Sequence, residues 1–269
     1  LVPVSAKEAT GIAANYATSD YVGDYDRDTP VIIVHGMSQN NTYLLNEDGT
    51  RMTDDKGDYI TGWPLEIDIM GLLKNALVPN IASVVSRSDA GLTDAMRKGA
   101  YEGLYAIHKD NEGNYVTPVE VPCYECPMSE LPEDLKAEYY EFLRLQGLAE
   151  IVGEENIYYF GYDSFGDVIG ETEKLHHFIH DVVLPQTGAE QVRLCNISLG
   201  GTIGVNYLET YPEDYFLIKR MLFVIPAIDG SDIIGDLLTN NVSVLYDNEM
   251  LYSKFLPSLL GETPLAYLL

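Results

Sequence analysis

From Val192 to Leu208 the chain reads VRLCNISLGGTIGVNYL. The run Gln191 to Ile197 is a strand by its β-branched and apolar content, and it gives way at once to a serine, two glycines and a helical pattern. A strand that passes into a helix without a linker is one half of a βα unit, which belongs to a parallel sheet covered by helices. Three further runs fit such a sheet: Pro30 to His35 (PVIIVH), ended by Gly36; Asn156 to Gly161 (NIYYFG); and Arg220 to Ile225 (RMLFVI). Between the second and third strands, Leu175, Phe178, Ile179, Val182 and Val183 fall at helical spacing and predict a crossover helix with one apolar stripe. The order strand, helix, strand, helix, strand implies an α/β fold with right-handed crossovers.

The interval 38–155 is far longer than one crossover requires and holds structure of its own, an inserted cap or lid within a single domain spanning 1–269. Asn46 to Asp58 (NEDGTRMTDDKGD) is dense in turn formers and predicts a hairpin tip, and Asn111 to Asn114 (NEGN) predicts another turn. Leu65 to Leu77 and Leu92 to His108 have helical patterns. Pro132 opens a further helix in which Leu135, Tyr139, Phe142 and Leu143 share a face.

Charge narrows the partners. Asp and Glu number 42 against 16 Lys and Arg, a formal charge of −26, and that surface repels phosphate backbones, so no nucleic-acid partner is expected. No stretch approaches the roughly 20 continuous apolar residues of a membrane span, so no stable membrane insertion is expected either. The sequence opens at Leu1 with no basic-then-apolar leader. Location stays open on these grounds, with the balance leaning to an extracellular setting.

The residue that carries chemistry is Ser198. A serine on a sharp strand-to-helix turn is the nucleophile-elbow arrangement: a strained backbone lifts Oγ out of the sheet and onto the positive end of the following helix. Gly200 and Gly201 let that helix approach the strand, and the Leu199 backbone N–H becomes available to an oxyanion. His35-Gly36-Met37 follows the first strand directly, and the two motifs occur in that order with a strand and a helix between them.

With these motifs, the segment from Thr29 to about Leu238 resembles the lipase and esterase branch of the α/β-hydrolase superfamily. Within that branch, Tyr159 to Asp163 (YFGYD), the helix to Val183, and Thr187-Gly188-Ala189 before QVRLCNISLGG are similar to the lecithin:cholesterol acyltransferase-like lipases and their bacterial relatives, as is Ile225 to Ser231 (IPAIDGS). The resemblance implies an α/β-hydrolase fold and a serine hydrolase acting on carboxylic esters, with a small-molecule or lipid ester as substrate and no cofactor. It implies that Met37 and Leu199 N–H groups form an oxyanion hole, each worth on the order of 3 kcal/mol, with His35 bracing the loop. Gly36 and Gly200 support that geometry.

The chain departs from the family pattern twice. Asn196 stands two before the serine where glycine is usual. No histidine follows Ser198, although the family's triad runs Ser, then Asp or Glu, then His. Because PLAYLL ends the chain on apolar residues, the last strands and the base-bearing loop are expected beyond Leu269. Asp229, after the fourth strand, is the candidate triad acid. A binding protein that kept the pocket but lost the base, and an acyltransferase, are the competing readings.

Other candidates read as structural. His176 and His180 share a face at i, i+4, but they and His177 lie off the apolar stripe and are expected on the solvated side, with no metal. Cys123 and Cys126 have no second pair and predict a surface hairpin, with a local disulfide as an option. Asp24, Asp26 and Asp28 imitate a calcium loop, but Thr29 and His35 occupy positions that need Gly and Glu.

Overall fold

The computed structural model describes residues 28–64 and 105–230, apart from residue 144. The expected helices at 65–77 and 92–104, Asp24, Asp26 and the final PLAYLL lie outside the described residues. Two compact units divide the chain, Leu1–Pro226 and Ala227–Leu269; of the second, residues 227–230 are described.

Among the described residues, the first unit is built on a four-stranded parallel sheet. Its strands are β1 (Val31–Val34), β5 (Ile157–Phe160), β6 (Val192–Ile197) and β7 (Ile218–Val224), in the spatial order β5-β1-β6-β7. All four fall on the runs read from the sequence. Alternate residues feed two cores, because successive side chains of a strand point to opposite faces. Ile32, Val34, Tyr158 and Phe160 pack with Leu175, Phe178, Ile179, Val182 and Val183 on one face. Val31, Ile33, Ile157 and Tyr159 pack with Met128, Leu131, Tyr139, Leu145 and Val152 on the other. The fold is therefore α/β with helices on both faces, as the β-branched runs require.

The first face is covered by one long crossover and by the helix after β6. The crossover is α3 (Val168–His177), a π-helical stretch (Phe178–Val183) and α4 (Leu184–Thr187). Asp167 caps its start by accepting from Gly170 N–H at 3.0 Å, and Gly188 ends it in the left-handed conformation at φ 66°. The helix after β6 is α5 (Gly200–Thr210). The second face is covered by α1 (Glu133–Leu143) and α2 (Gln146–Val152).

Within 38–155, α1 and α2 pack against the sheet, with Tyr139, Leu145 and Val152 in the second core. The described part of that interval also holds a small antiparallel sheet of β2 (Thr42–Leu44), β3 (Thr61–Trp63) and β4 (Val119–Glu120), ordered β3-β2-β4. The expected hairpin tip at 46–58 is two tips. In Asn46–Thr50, Asp54–Asp58 and again Asp110–Asn114, the first N–H bonds the fifth carbonyl at 2.8–2.9 Å, with glycine fourth at φ 83–93°. Cys123 and Cys126 are free thiols, and no hairpin forms there. The segment lies along the end of β5 instead: Pro122 carbonyl accepts from Asn40 Nδ2 at 3.1 Å and sits against Gly161, where an added Cβ would come within 2.0 Å of it.

Candidate functional site

In this strand order β1 continues toward β5 on one side and β6 toward β7 on the other. The connections part between β1 and β6, and in open parallel sheets ligands bind at such a parting, outside the carboxyl ends of the strands. The His35-Gly36-Met37 loop and Ser198 stand at that point.

Ser198 adopts φ 48°, in the left-handed region that non-glycine residues avoid. Holding it there costs of order 1–3 kcal/mol, and the surroundings over-determine it. Its N–H donates to Val224 O at 2.9 Å, which ties it to β7, and its carbonyl accepts from Gly201 N–H at 2.9 Å, which starts α5. Ser198 is half-buried, and its hydroxyl forms no hydrogen bond with the described residues. Ile225, directly after β7, is a second residue with positive φ, 42°.

Close approach explains the glycines. A Cβ on Gly200 would lie 2.2 Å from Val34 O and 2.8 Å from His35 O, so only glycine lets α5 begin against the end of β1. A Cβ on Gly36 would lie 3.1 Å from Ser198 Cβ, which puts the β1 loop beside the serine. Asn196 is fully buried and fits because Gly204, one turn into α5, has no side chain: a Cβ there would meet Asn196 Oδ1 at 2.4 Å. The bulk that sequence reading placed in a crowded turn is taken up by the helix, and Asn196 Nδ2 donates to Leu222 O at 3.3 Å.

His35 is a brace. Its Nδ1 lies 2.6 Å from Gly36 O, the shortest contact and one that an Nδ1–H donor satisfies, and its Nε2 lies 3.2 Å from both the N–H and the carbonyl oxygen of Tyr162. The ring stacks on Tyr162 at 4.0 Å, and Tyr162 OH donates to His35 O at 2.7 Å. Burial lowers its pKa to about 4, so the ring is neutral at pH 7. Gly36 O, held by His35 and by Gln39 N–H at 3.2 Å, also sets the opposite end of the same trans peptide: the Met37 N–H points away from it. Met37 O is fixed in turn by Trp63 Nε1 and Ser164 Oγ, both at 2.6 Å. Neither the Met37 nor the Leu199 N–H is bonded to the described residues, and Leu199 precedes the first turn of α5, where helical donors have no internal partner.

The YFGYD segment supports this loop residue by residue. Tyr159 OH donates to Gln39 O, Gly161 admits the Pro122 carbonyl, and Tyr162 clamps His35. Asp163 accepts from Lys109 Nζ and Tyr115 OH, both at 2.6 Å, and from Phe165 N–H at 2.9 Å, locking the third hairpin tip onto the β5 loop. Sequence reading missed Asp163, because its partners lie about fifty residues upstream. Asp229 is exposed in a turn closed by Gly230 N–H to Ala227 O at 3.2 Å, and its carboxylate has no partner among the described residues.

The histidines on the crossover depart from expectation. His177 is exposed and pairs with Asp181 at 2.9 Å, but His176 and His180 are half-buried against Asp214 from the turn after α5. The apolar stripe placed them off the core correctly, yet α5 and its following turn cover that flank. No helix among the described residues is long and apolar enough to cross a membrane. Compared with known proteins, the chain matches no protein family, no curated protein and no solved structure.

Proposed function

We propose that the chain is a serine hydrolase of the α/β-hydrolase type that cleaves carboxylic esters through an acyl-enzyme on Ser198. The observation that carries this reading is the left-handed Ser198 at the junction of β6 and α5, beside Gly36. Strain of this kind persists where surrounding contacts impose it, and it clusters at reactive centres. Ser198 Oγ attacks the ester carbonyl while the Met37 and Leu199 N–H groups hold the developing oxyanion, and water releases the acyl group. His35 keeps the first donor aimed and takes no proton, since its neutral ring is engaged at both nitrogens. A base outside the described site takes the Ser198 proton and passes it to the departing alcohol, then activates the water; in the resembled family that base is a histidine oriented by a carboxylate. An acyl acceptor other than water turns the same site into an acyltransferase.

A second reading, an ester-binding protein without turnover, draws on the histidines. His35 is committed to the loop, His176, His177 and His180 are paired with Asp214 and Asp181, His108 is exposed beside Tyr105, and none bonds Ser198 among the described residues. Hydrolysis of p-nitrophenyl esters by the full-length gene product separates the two. Turnover that falls at least about 10³-fold in Ser198→Ala supports the hydrolase; absence of turnover, with ester binding retained, supports the binding protein.

A further inference from the structure

Two parts of the chain distant in sequence, the middle of the crossover and the end of α5 with its following turn, converge on one carboxylate oxygen. Asp214 is 4% exposed, in the turn Pro212–Phe216 that follows α5. Its Oδ2 lies 3.1 Å from His176 Nδ1 on α3, 2.9 Å from His180 Nε2 in the π-helical stretch, and 2.6 Å from Tyr207 OH on α5. The two imidazole rings are 4.3 Å apart, and His176 stacks on Tyr211 at 4.0 Å, which fixes its plane. The Leu184 N–H bonds Ile179 O, a five-residue step that widens the helix directly beside the histidines; such π-turns are frequent at functional sites.

The geometry points to a divalent transition-metal site, of the zinc class, formed by His176 Nδ1, His180 Nε2 and Asp214. One ligand atom from each lies within 4.8 Å of the others. A tetrahedral zinc ion about 2.0–2.2 Å from each of the three donors, with water in its fourth position, holds neighbouring donors about 3.3 Å apart. The two histidine–Asp214 spacings of 2.9 and 3.1 Å therefore open by a few tenths of an ångström, and the two imidazole donors already lie within 4.8 Å of each other. Two imidazoles and one carboxylate are a donor set that suits zinc better than calcium or magnesium, which take oxygen. On binding, each ring moves its proton to the nitrogen facing away from Asp214, and the carboxylate keeps the Tyr207 hydrogen bond. The ion would pin the β5–β6 crossover to the α5–β7 turn, independently of any chemistry at Ser198.

The test is titration of the full-length, chelator-treated protein with zinc chloride against a chromophoric zinc indicator at pH 7.5, with thermal unfolding followed in parallel. The expected result is one zinc per chain and a rise in Tm on zinc addition. His176→Gln and His180→Gln, each checked for native circular dichroism, should weaken zinc binding by more than about 100-fold, the upper end for losing even an outer support of a metal ligand. His177→Ala, which alters the exposed neighbour, should bind like wild type. Absence of stoichiometric binding, or equal loss in His177→Ala and His180→Gln, overturns the assignment.

Discussion

Gly200 stands so near Val34 that a methyl group on it would lie 2.2 Å from the Val34 carbonyl oxygen. The start of α5 is thus pressed against the end of β1, and this contact sets where the Ser198 turn sits. Gly200→Ala should destabilise the protein by about 2–3 kcal/mol, as overpacking does, or push the helix back and lose ester turnover. Urea unfolding together with an esterase assay checks it, and a fully active, equally stable variant would show that the contact does not position the serine.

Asn196 and Gly204 should behave as a coupled pair. Gly204→Ala alone places a methyl group 2.4 Å from Asn196 Oδ1 and is expected to be destabilising, whereas Asn196→Gly with Gly204→Ala removes the conflict. A double-mutant cycle should return a coupling of at least about 1 kcal/mol.

His35 gives a pH signature. Its folded pKa is about 4 and its ordinary value 6.5, so between them the unfolded chain binds a proton that the folded chain refuses. The contribution is complete above pH 6.5 and is lost as pH falls toward 4, amounting to about 3 kcal/mol. The surface charge of −26 acts in the opposite direction on acidification, by relief of repulsion. The informative quantity is therefore the difference between wild type and His35→Asn in urea midpoints at pH 7.5 and 4.5, which should shrink at the lower pH.

Asp163 locks the hairpin tip at 110–114 to the β5 loop through Lys109 and Tyr115. Burial first, and the Asp163 carboxylate second, push the Tyr115 phenol above its ordinary range, so it stays a donor at any physiological pH. Asp163→Asn should cost about 2 kcal/mol and Tyr115→Phe about 1 kcal/mol, read by urea unfolding. Because Met37 is held by Ser164, the neighbour of Asp163, ester turnover should fall in parallel in Asp163→Asn.

Much of this architecture is written locally. The four strands are β-branched runs whose residues alternate between two cores, and the crossover stripe from Leu175 to Val183 is buried where its spacing places it. Ser198 was legible because a strand, a serine and two glycines can meet in few ways. What escaped was long-range. The accommodation of Asn196 depends on Gly204 turning one helical step later, and Asp163 finds Lys109 across the inserted segment. Asp214 reaches His176 and His180 only because α5 lies beside the crossover, and no periodicity within 168–187 carries that information.

The most direct measurement is covalent. The full-length protein is treated with a fluorophosphonate, digested, and the adduct located by mass spectrometry, with Ser198→Ala alongside. A single phosphonylated serine, Ser198, is expected, with no labelling of the variant. A wild type that stays unmodified, or an adduct on another serine that persists in Ser198→Ala, would contradict it.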